Sequence, residues 1–289
     1  MPPLTRDQEK LHAQACQLVD LDRDLTEDER AFVLDHWRAS ATTRSASDRA
    51  YFAPAGLARD MSLEFSGDRI IDLCAGIGRL AFHARDLWGH WPGPGREIVC
   101  IERNPLYVRV GRRVLPEASW ICADIMAIPN MLDELGRFDC AISNPPYGAI
   151  PRSGNAPGGY RGRRFEYHAL SLARLVADRA VFLIPQVSAP FSYSGVRQFV
   201  ADDGDTEHAK FAAATGIALE ANCGIDTSFH RDDWHDQVPS LEIVTTDFDD
   251  IEAPETMPAA TRRRLTLLAD LPSRDAASAS PGRRSKRAA

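Results

Sequence analysis

Asp139-Cys-Ala-Ile-Ser-Asn-Pro-Pro-Tyr-Gly148 is the stretch on which the reading of the chain turns. Phe138 to Ser143 is a short apolar run with one acid, the pattern of a buried strand bounded by breakers. Asn144-Pro145-Pro146-Tyr147 follows at its carboxyl end, where open α/β sheets hold their ligands. Two successive prolines stiffen the backbone and donate no hydrogen bond, so nearby carbonyls are left as acceptors. An Asn amide oxygen, a Pro145 carbonyl and a Tyr ring suit a planar substrate that carries an NH₂ group. A plain proline-rich turn is the competing reading.

Upstream, Arg69-Ile-Ile-Asp72-Leu-Cys-Ala-Gly76-Ile-Gly78-Arg79-Leu80 reads as a strand ending in an acid, a glycine turn, and a helix from about Arg79 to Leu87. Glycines there let backbone approach a ligand, and a helix start offers unpaired N–H groups. The run is neither a full G-x-G-x-x-G nor a phosphate-binding loop, since no Gly-Lys-Ser/Thr occurs. A second strand, Glu97–Ile101, ends at Glu102, placed to bind ribose hydroxyls. Pro105–Leu115 makes a helix, Ala118–Cys122 a third strand ending near Asp124, and Ala127–Leu135 a further helix. Three successive strands thus end in Asp72, Glu102 and Asp124, and a fourth in Asn144. One strand-end acid is unremarkable; the alignment of all of them is informative.

Outward from this core, residues 4–20 and 26–39 read as helices, the second with Thr26 and Glu29 as a capping box. Ser40–Ser47 is a small-residue linker. The loop at 148–164, rich in glycine and arginine, is either disordered or a substrate grip, with Arg152, Arg161, Arg163 and Arg164 available to phosphates. Phe165–Ala177 is expected as a helix and Arg179–Ile184 as a fifth strand. Ser192–Ala201 is expected to be helical, and 202–207 an exposed acidic bend. Ile217–Ile225 and Pro239–Thr246 complete the strands. From about Asp249 the period fades, and the end is expected to be a basic, disordered tail.

The chain has 289 residues, long enough for one large α/β domain with appendages or two small domains, and its 44% hydrophobic and 26% charged content is ordinary for a soluble globular protein. Its net charge of −7 does not announce a nucleic-acid binder. Residues 254–289, however, hold eight basic side chains against three acids. No run approaches the ~20 apolar residues of a membrane span, and the start lacks a secretory pattern, so a cytoplasmic protein is expected. The six cysteines lie singly, which reads as buried free thiols without disulfide or metal.

Together the D-L-C-A-G-I-G run at 72–78 and N-P-P-Y-G at 144–148 resemble the S-adenosylmethionine-dependent N6-adenine DNA methyltransferases. The likeness covers roughly residues 48–248. Tyr51-Phe-Ala-Pro54 is similar to that family's Tyr/Phe-Thr-Pro motif, with Ala53 where Thr is usual. The resemblance implies a Rossmann-like seven-stranded methyltransferase sheet, with residues 1–47 as a helical N-terminal extension and 249–289 as the tail. It implies S-adenosyl-L-methionine as cofactor, bordered by Tyr51 and Pro54. Asp72, Ala75 and Gly76 would take the methionine end, Glu102 the ribose, Asp124 the adenine amine, and Arg103 or Ile125 the adenine ring, with Gly78 also among the cofactor-binding residues. Asn144 and the Pro145-Pro146 turn would hold the target NH₂, with Tyr147 stacked on the base. Trp234, then Phe229, would cover the opposite face, and Arg161, Arg163 and Arg164 the phosphates. No Pro-Cys dipeptide supports the covalent cysteine route to cytosine. Sequence-reading family members usually carry a long recognition domain after the last strand. Only about forty residues follow here, which implies relaxed specificity or a specificity subunit. The same motif occurs in methyltransferases of rRNA and of a release-factor glutamine. Those substrates stay open as partners, as does a non-catalytic cofactor-binding regulator.

Overall fold

The structure, a computed structural model, describes residues 4–38, 51–85, 95–202, 204–235 and 238–248. Strands β1 (Arg69–Leu73), β2 (Glu97–Glu102), β3 (Ser119–Cys122), β4 (Phe138–Ser143) and β5 (Ala177–Pro185) pair in parallel. A short hairpin of β6 (Phe191–Ser192) and β7 (Val200–Ala201) stands apart. Strand β8 (Glu220–Ala221) and β9 (Leu241–Asp247) finish a seven-stranded sheet in the order β3-β2-β1-β4-β5-β9-β8, with β9 antiparallel to both neighbours. The order reverses at β1, whose neighbours are β2 and β4, so a crevice opens above the carboxyl ends of these strands.

Strands covered on both faces read as continuous apolar runs, because each successive side chain enters a different core. Ile70, Cys100, Ile142 and Val181 join the core on one face, and Ile71, Val99, Ala141 and Phe182 the core on the other. Helices α1 (Arg6–Val19), α2 (Glu27–His36), α3 (Ala55–Met61), α4 (Arg79–His83) and α5 (Pro105–Val114) supply the first. Helices α6 (Leu132–Leu135), α7 (Phe165–Val176) and α8 (Thr206–Thr215) supply the second.

Helices α1 and α2 begin with capping boxes, Thr5 with Gln8 and Thr26 with Glu29, each side chain bonding the other's backbone N–H. They dock on the sheet domain. Arg30 and Arg85 share Glu27 and Glu117, and Arg109 pairs with Asp20. Trp37, 3% exposed, packs edge-on against Tyr107 at 5.7 Å between ring centres and tilts against Phe52 at 6.2 Å.

Several expectations are corrected. Ser192–Ala201 is no helix: it forms the β6–β7 hairpin. The acidic bend at 202–207 instead opens α8, since Asp205 accepts hydrogen bonds from the N–H groups of Glu207 and His208. The helix expected over Ala127–Leu135 breaks at Pro129 into a 3₁₀ turn, Ile125–Asn130, and α6. The strand expected over Ile217–Ile225 shrinks to β8. Loop 148–164 is neither disordered nor loose. His168 of α7 receives the Ala156 N–H, Arg152 binds the Gly162 carbonyl, and Tyr160 bonds Glu207. All six cysteines are free, with Cys122 and Cys223 exposed rather than buried. Among the described residues no helix is long and apolar enough to cross a membrane, and no cluster of metal ligands occurs. The linker at 40–47 and the tail from 249 lie outside the described residues.

Candidate active site

At the strand ends lies a cleft with about 810 Å³ of empty space, its open mouth included. Tyr51, Asp72, Ala75, Gly76, Glu102, Arg103, Asp124, Ile125, Asn144 and Pro146 line it, residues from five separate segments of the sequence.

The floor is the turn after β1. Cys74 takes a left-handed conformation, φ 63°, the only such residue besides glycine among those described. Such a conformation costs on the order of 1–3 kcal/mol and persists only where its surroundings impose it. Here the next N–H, of Ala75, is held by the Ile101 carbonyl at 3.0 Å, and that of Gly76 by Glu102 Oε2 at 2.9 Å. A Cβ on Gly76 would lie 2.8 Å from the Phe52 ring, so that glycine is required twice, by its φ of 58° and by the close approach.

Glu102, 7% exposed, is fixed by the Gly76 N–H on one oxygen and the Asn104 N–H, at 2.7 Å, on the other. Asp124 caps the 3₁₀ turn through Oδ1, which accepts from the Met126 N–H at 2.9 Å. Asp72 differs from both. Its Oδ2 accepts from the Ala81 N–H at 3.2 Å, but Oδ1 is buried with no partner. Burial pushes this carboxyl well above its ordinary range; the Ala81 hydrogen bond opposes that rise and the charge of Glu102 adds to it. A buried, unmet acceptor beside a cleft is a site waiting for a donor.

Asn144 sits one residue past β4. Its Nδ2 donates to the Tyr51 carbonyl at 2.6 Å, which fixes the amide and turns Oδ1 to the Tyr147 hydroxyl, which donates to it. The Tyr147 ring stacks on Tyr51, with centres 6.2 Å apart and planes 16° from parallel, and burial raises its hydroxyl pKa well above the ordinary value. Behind Tyr147, buried Glu166 accepts from the Gly148 N–H and from Ser188, locking the turn onto α7.

The remaining sequence candidates are spread more widely. Pro54 is buried and starts α3, and Gly78, φ 89°, precedes α4. Phe229 is 84% exposed, and Trp234 lines a separate groove with Ser194, Thr227 and Val238, so neither borders the cleft. Arg161 and Arg163 are exposed. Arg164 is committed to an ion pair with Asp205 and to the Val187 carbonyl. Sequence reading missed Phe52, Cys74, Arg79, Tyr107, Ile150 and Phe165 as lining residues. Phe52, Cys74 and Arg79 carried a signal, as neighbours within the quoted stretches.

The chain matches no family profile and no curated protein sequence. Solved structures do resemble it. A modification subunit assigned to a type I restriction enzyme of Vibrio vulnificus YJ016 superposes with a TM-score of 0.50 at 13% identity, over 78% of this chain and 50% of that one. The type I restriction-modification methyltransferase subunit of Streptococcus thermophilus gives 0.50 at 14%, over 84% and 56%. A protein of Listeria monocytogenes assigned as a class I S-adenosylmethionine-dependent methyltransferase gives 0.50 at 11%, over 92% and 85%. The fold is therefore the Rossmann-like fold of the class I methyltransferases. The chain spans about half the length of the two restriction-modification subunits.

Proposed function

We propose that this chain is an S-adenosylmethionine-dependent methyltransferase that methylates the exocyclic N6 amine of adenine in DNA. The observation that carries this reading is the fixed Asn144 amide beside a diproline turn, on the rim of a cleft whose strand ends bear Asp72, Glu102 and Asp124. The cleft fits the cofactor on its own evidence: the unmet Asp72 oxygen matches a ligand ammonium, and the Gly76 turn leaves no room for a side chain where backbone must approach. The names of the Vibrio and Streptococcus relatives favour DNA. Both proteins are named as subunits, and a partner that supplies sequence recognition belongs to the proposal on that ground.

In this reading Glu102 binds the ribose hydroxyls, Asp124 the adenine amine, and Ile125 and Arg103 the two sides of the ring. Asp72 takes the ammonium, with Ala75, Gly76 and Gly78 shaping the turn and Tyr51 and Pro54 the rim. The bound cofactor supplies an electrophilic methyl group on sulfur. An exocyclic adenine nitrogen is a weak nucleophile because its lone pair is delocalised. Asn144 Oδ1 and the Pro145 carbonyl accept its two N–H bonds, favour a pyramidal nitrogen and direct the lone pair out of the ring plane. Alignment then replaces a general base, and the methylated nitrogen returns its extra proton to water. Tyr147 leaves Asn144 Oδ1 and stacks on the extruded base, offsetting part of the flipping cost. Arg161 and Arg163 remain available to phosphate; Phe229 and Trp234 would reach the base only if their segment moved.

The test is transfer of labelled methyl to unmethylated duplex DNA, rRNA and a release factor, with Asn144→Ala in parallel. N6-methyladenine in DNA, lost in the variant, is expected. Label in RNA or protein would replace the substrate, and cofactor binding without any transfer would favour the regulator reading.

A further inference from the structure

Helix α2, far from the cleft in sequence, reaches it through one side chain. Arg79 lines the cleft and is 5% exposed, a rare setting for a guanidinium. One nitrogen, Nη1, donates to Asp35 Oδ1 of α2 at 2.8 Å, while Nε is buried without a partner. Asp35 is itself half-exposed, so it answers only part of the charge and one of the donors. Burying a guanidinium with an unmet donor is costly unless an acceptor arrives. The surroundings stay cationic: burial and the charges of Arg79, Arg85 and Arg59 push His83 down to about 4.

Phe52 and Ala53 offer no polar side chain. The other cation lining the cleft is Arg103, exposed at the end of β2, on the side assigned to the adenosine. An amino-acid moiety carries an ammonium and a carboxylate on one carbon. Asp72, with its unmet oxygen, matches the first, and Arg79, with its unmet Nε, matches the second.

We infer that Arg79 receives the cofactor's α-carboxylate and that Asp35 of the N-terminal helices is its positioning residue, which makes α2 a working wall of the cofactor site. This rests on the cofactor assignment proposed above. Trp37, which closes α2, packs against Phe52 and Tyr107, both of which also line the cleft, so the same helix braces the site at a second point.

The test is calorimetric binding of three ligands: S-adenosylmethionine, its decarboxylated form, and 5′-methylthioadenosine, which lacks the amino acid. Each is titrated into wild type, Arg79→Met, Arg79→Lys and Asp35→Asn. Arg79→Met is expected to weaken S-adenosylmethionine about 10- to 100-fold, the range of a lost charge-assisted hydrogen bond. The decarboxylated ligand should change less than about threefold, with Arg79→Lys recovering part of the loss and Asp35→Asn showing a smaller, equally carboxylate-selective one. Unchanged methylthioadenosine binding certifies the fold of each variant. Equal weakening of all three ligands, or none of any, would overturn the role of Arg79 and leave the cofactor assignment standing. A wild type that binds none of the three would defeat that assignment and this inference together.

Discussion

Replacing Asp72 by Asn should make the empty protein more stable at neutral pH and less able to hold its ligand. Asp72 is 1% exposed, with one oxygen on the Ala81 N–H and the other on nothing. Its folded pKa is raised, chiefly by burial. Below the unfolded pKa of about 4 both states hold the proton and the site carries no penalty. Above it the unfolded chain ionises while the folded one keeps its proton, so stability is lost as pH rises, until the folded pKa is passed. The slope in that window is at most about 1.4 kcal/mol per pH unit. Asn cannot ionise, and every other titrating group is common to both proteins. From pH 5 to 7 the wild type should therefore fall behind the variant by up to ~2.7 kcal/mol, which at about 2–4 °C per kcal/mol is a gap of several degrees in Tm. Thermal melts across that range measure it. A ligand ammonium would favour the ionised form, so wherever the empty site still holds its proton S-adenosylhomocysteine binding should release it from wild type and not from the variant, read by calorimetry in two buffers of different ionisation enthalpy. Melting curves that stay parallel from pH 5 to 7 would refute the reasoning.

Other perturbations probe the supports. A Cβ on Gly111 of α5 would lie 2.1 Å from the Trp120 ring, which is pinned by its Nε1–H on the Leu115 carbonyl at 3.0 Å. Gly111→Ala therefore trades about 1 kcal/mol of helix propensity for ~1–3 kcal/mol of overpacking; denaturant titration should show a net loss, and a gain would count against the packing. Tyr147→Phe removes the hydroxyl that engages Asn144 Oδ1 while keeping the ring. The KM for the amine substrate should fall about 2- to 10-fold, the worth of one hydrogen bond, and a KM that rises would assign the hydroxyl to substrate binding instead. Glu242 is fully buried and accepts from Gln186 Nε2, two backbone N–H groups and the Ser194 hydroxyl. Glu242→Gln turns donors toward donors and should cost ~2–4 kcal/mol in urea unfolding, freeing the 186–195 segment; an unchanged midpoint would contradict that network.

The sequence by itself determined the strands that carry the site. A parallel strand buried on both faces must be a short apolar run between breakers, and Arg69–Leu73, Glu97–Glu102 and Phe138–Ser143 stand out for that reason. It also determined which residues meet at the strand ends, since Asp72, Glu102, Asp124 and Asn144 lie at or next to those ends and the parallel sheet brings all its carboxyl ends to one edge. Where local and tertiary forces disagreed, sequence reading failed. Ser192–Ala201 became a hairpin with Phe191 and Phe199 stacked, and Asp205 turned an acidic bend into a helix cap. Only the tertiary structure decided the partners of side chains far apart along the chain. Asp35 meets Arg79, Tyr51 orients Asn144, and Asp205 takes Arg164 away from any phosphate. Periodicity reports which way a residue faces within its own element. Whether a buried charge finds its counterpart depends on which other element is packed opposite, and that is set by the sum of contacts over the whole fold.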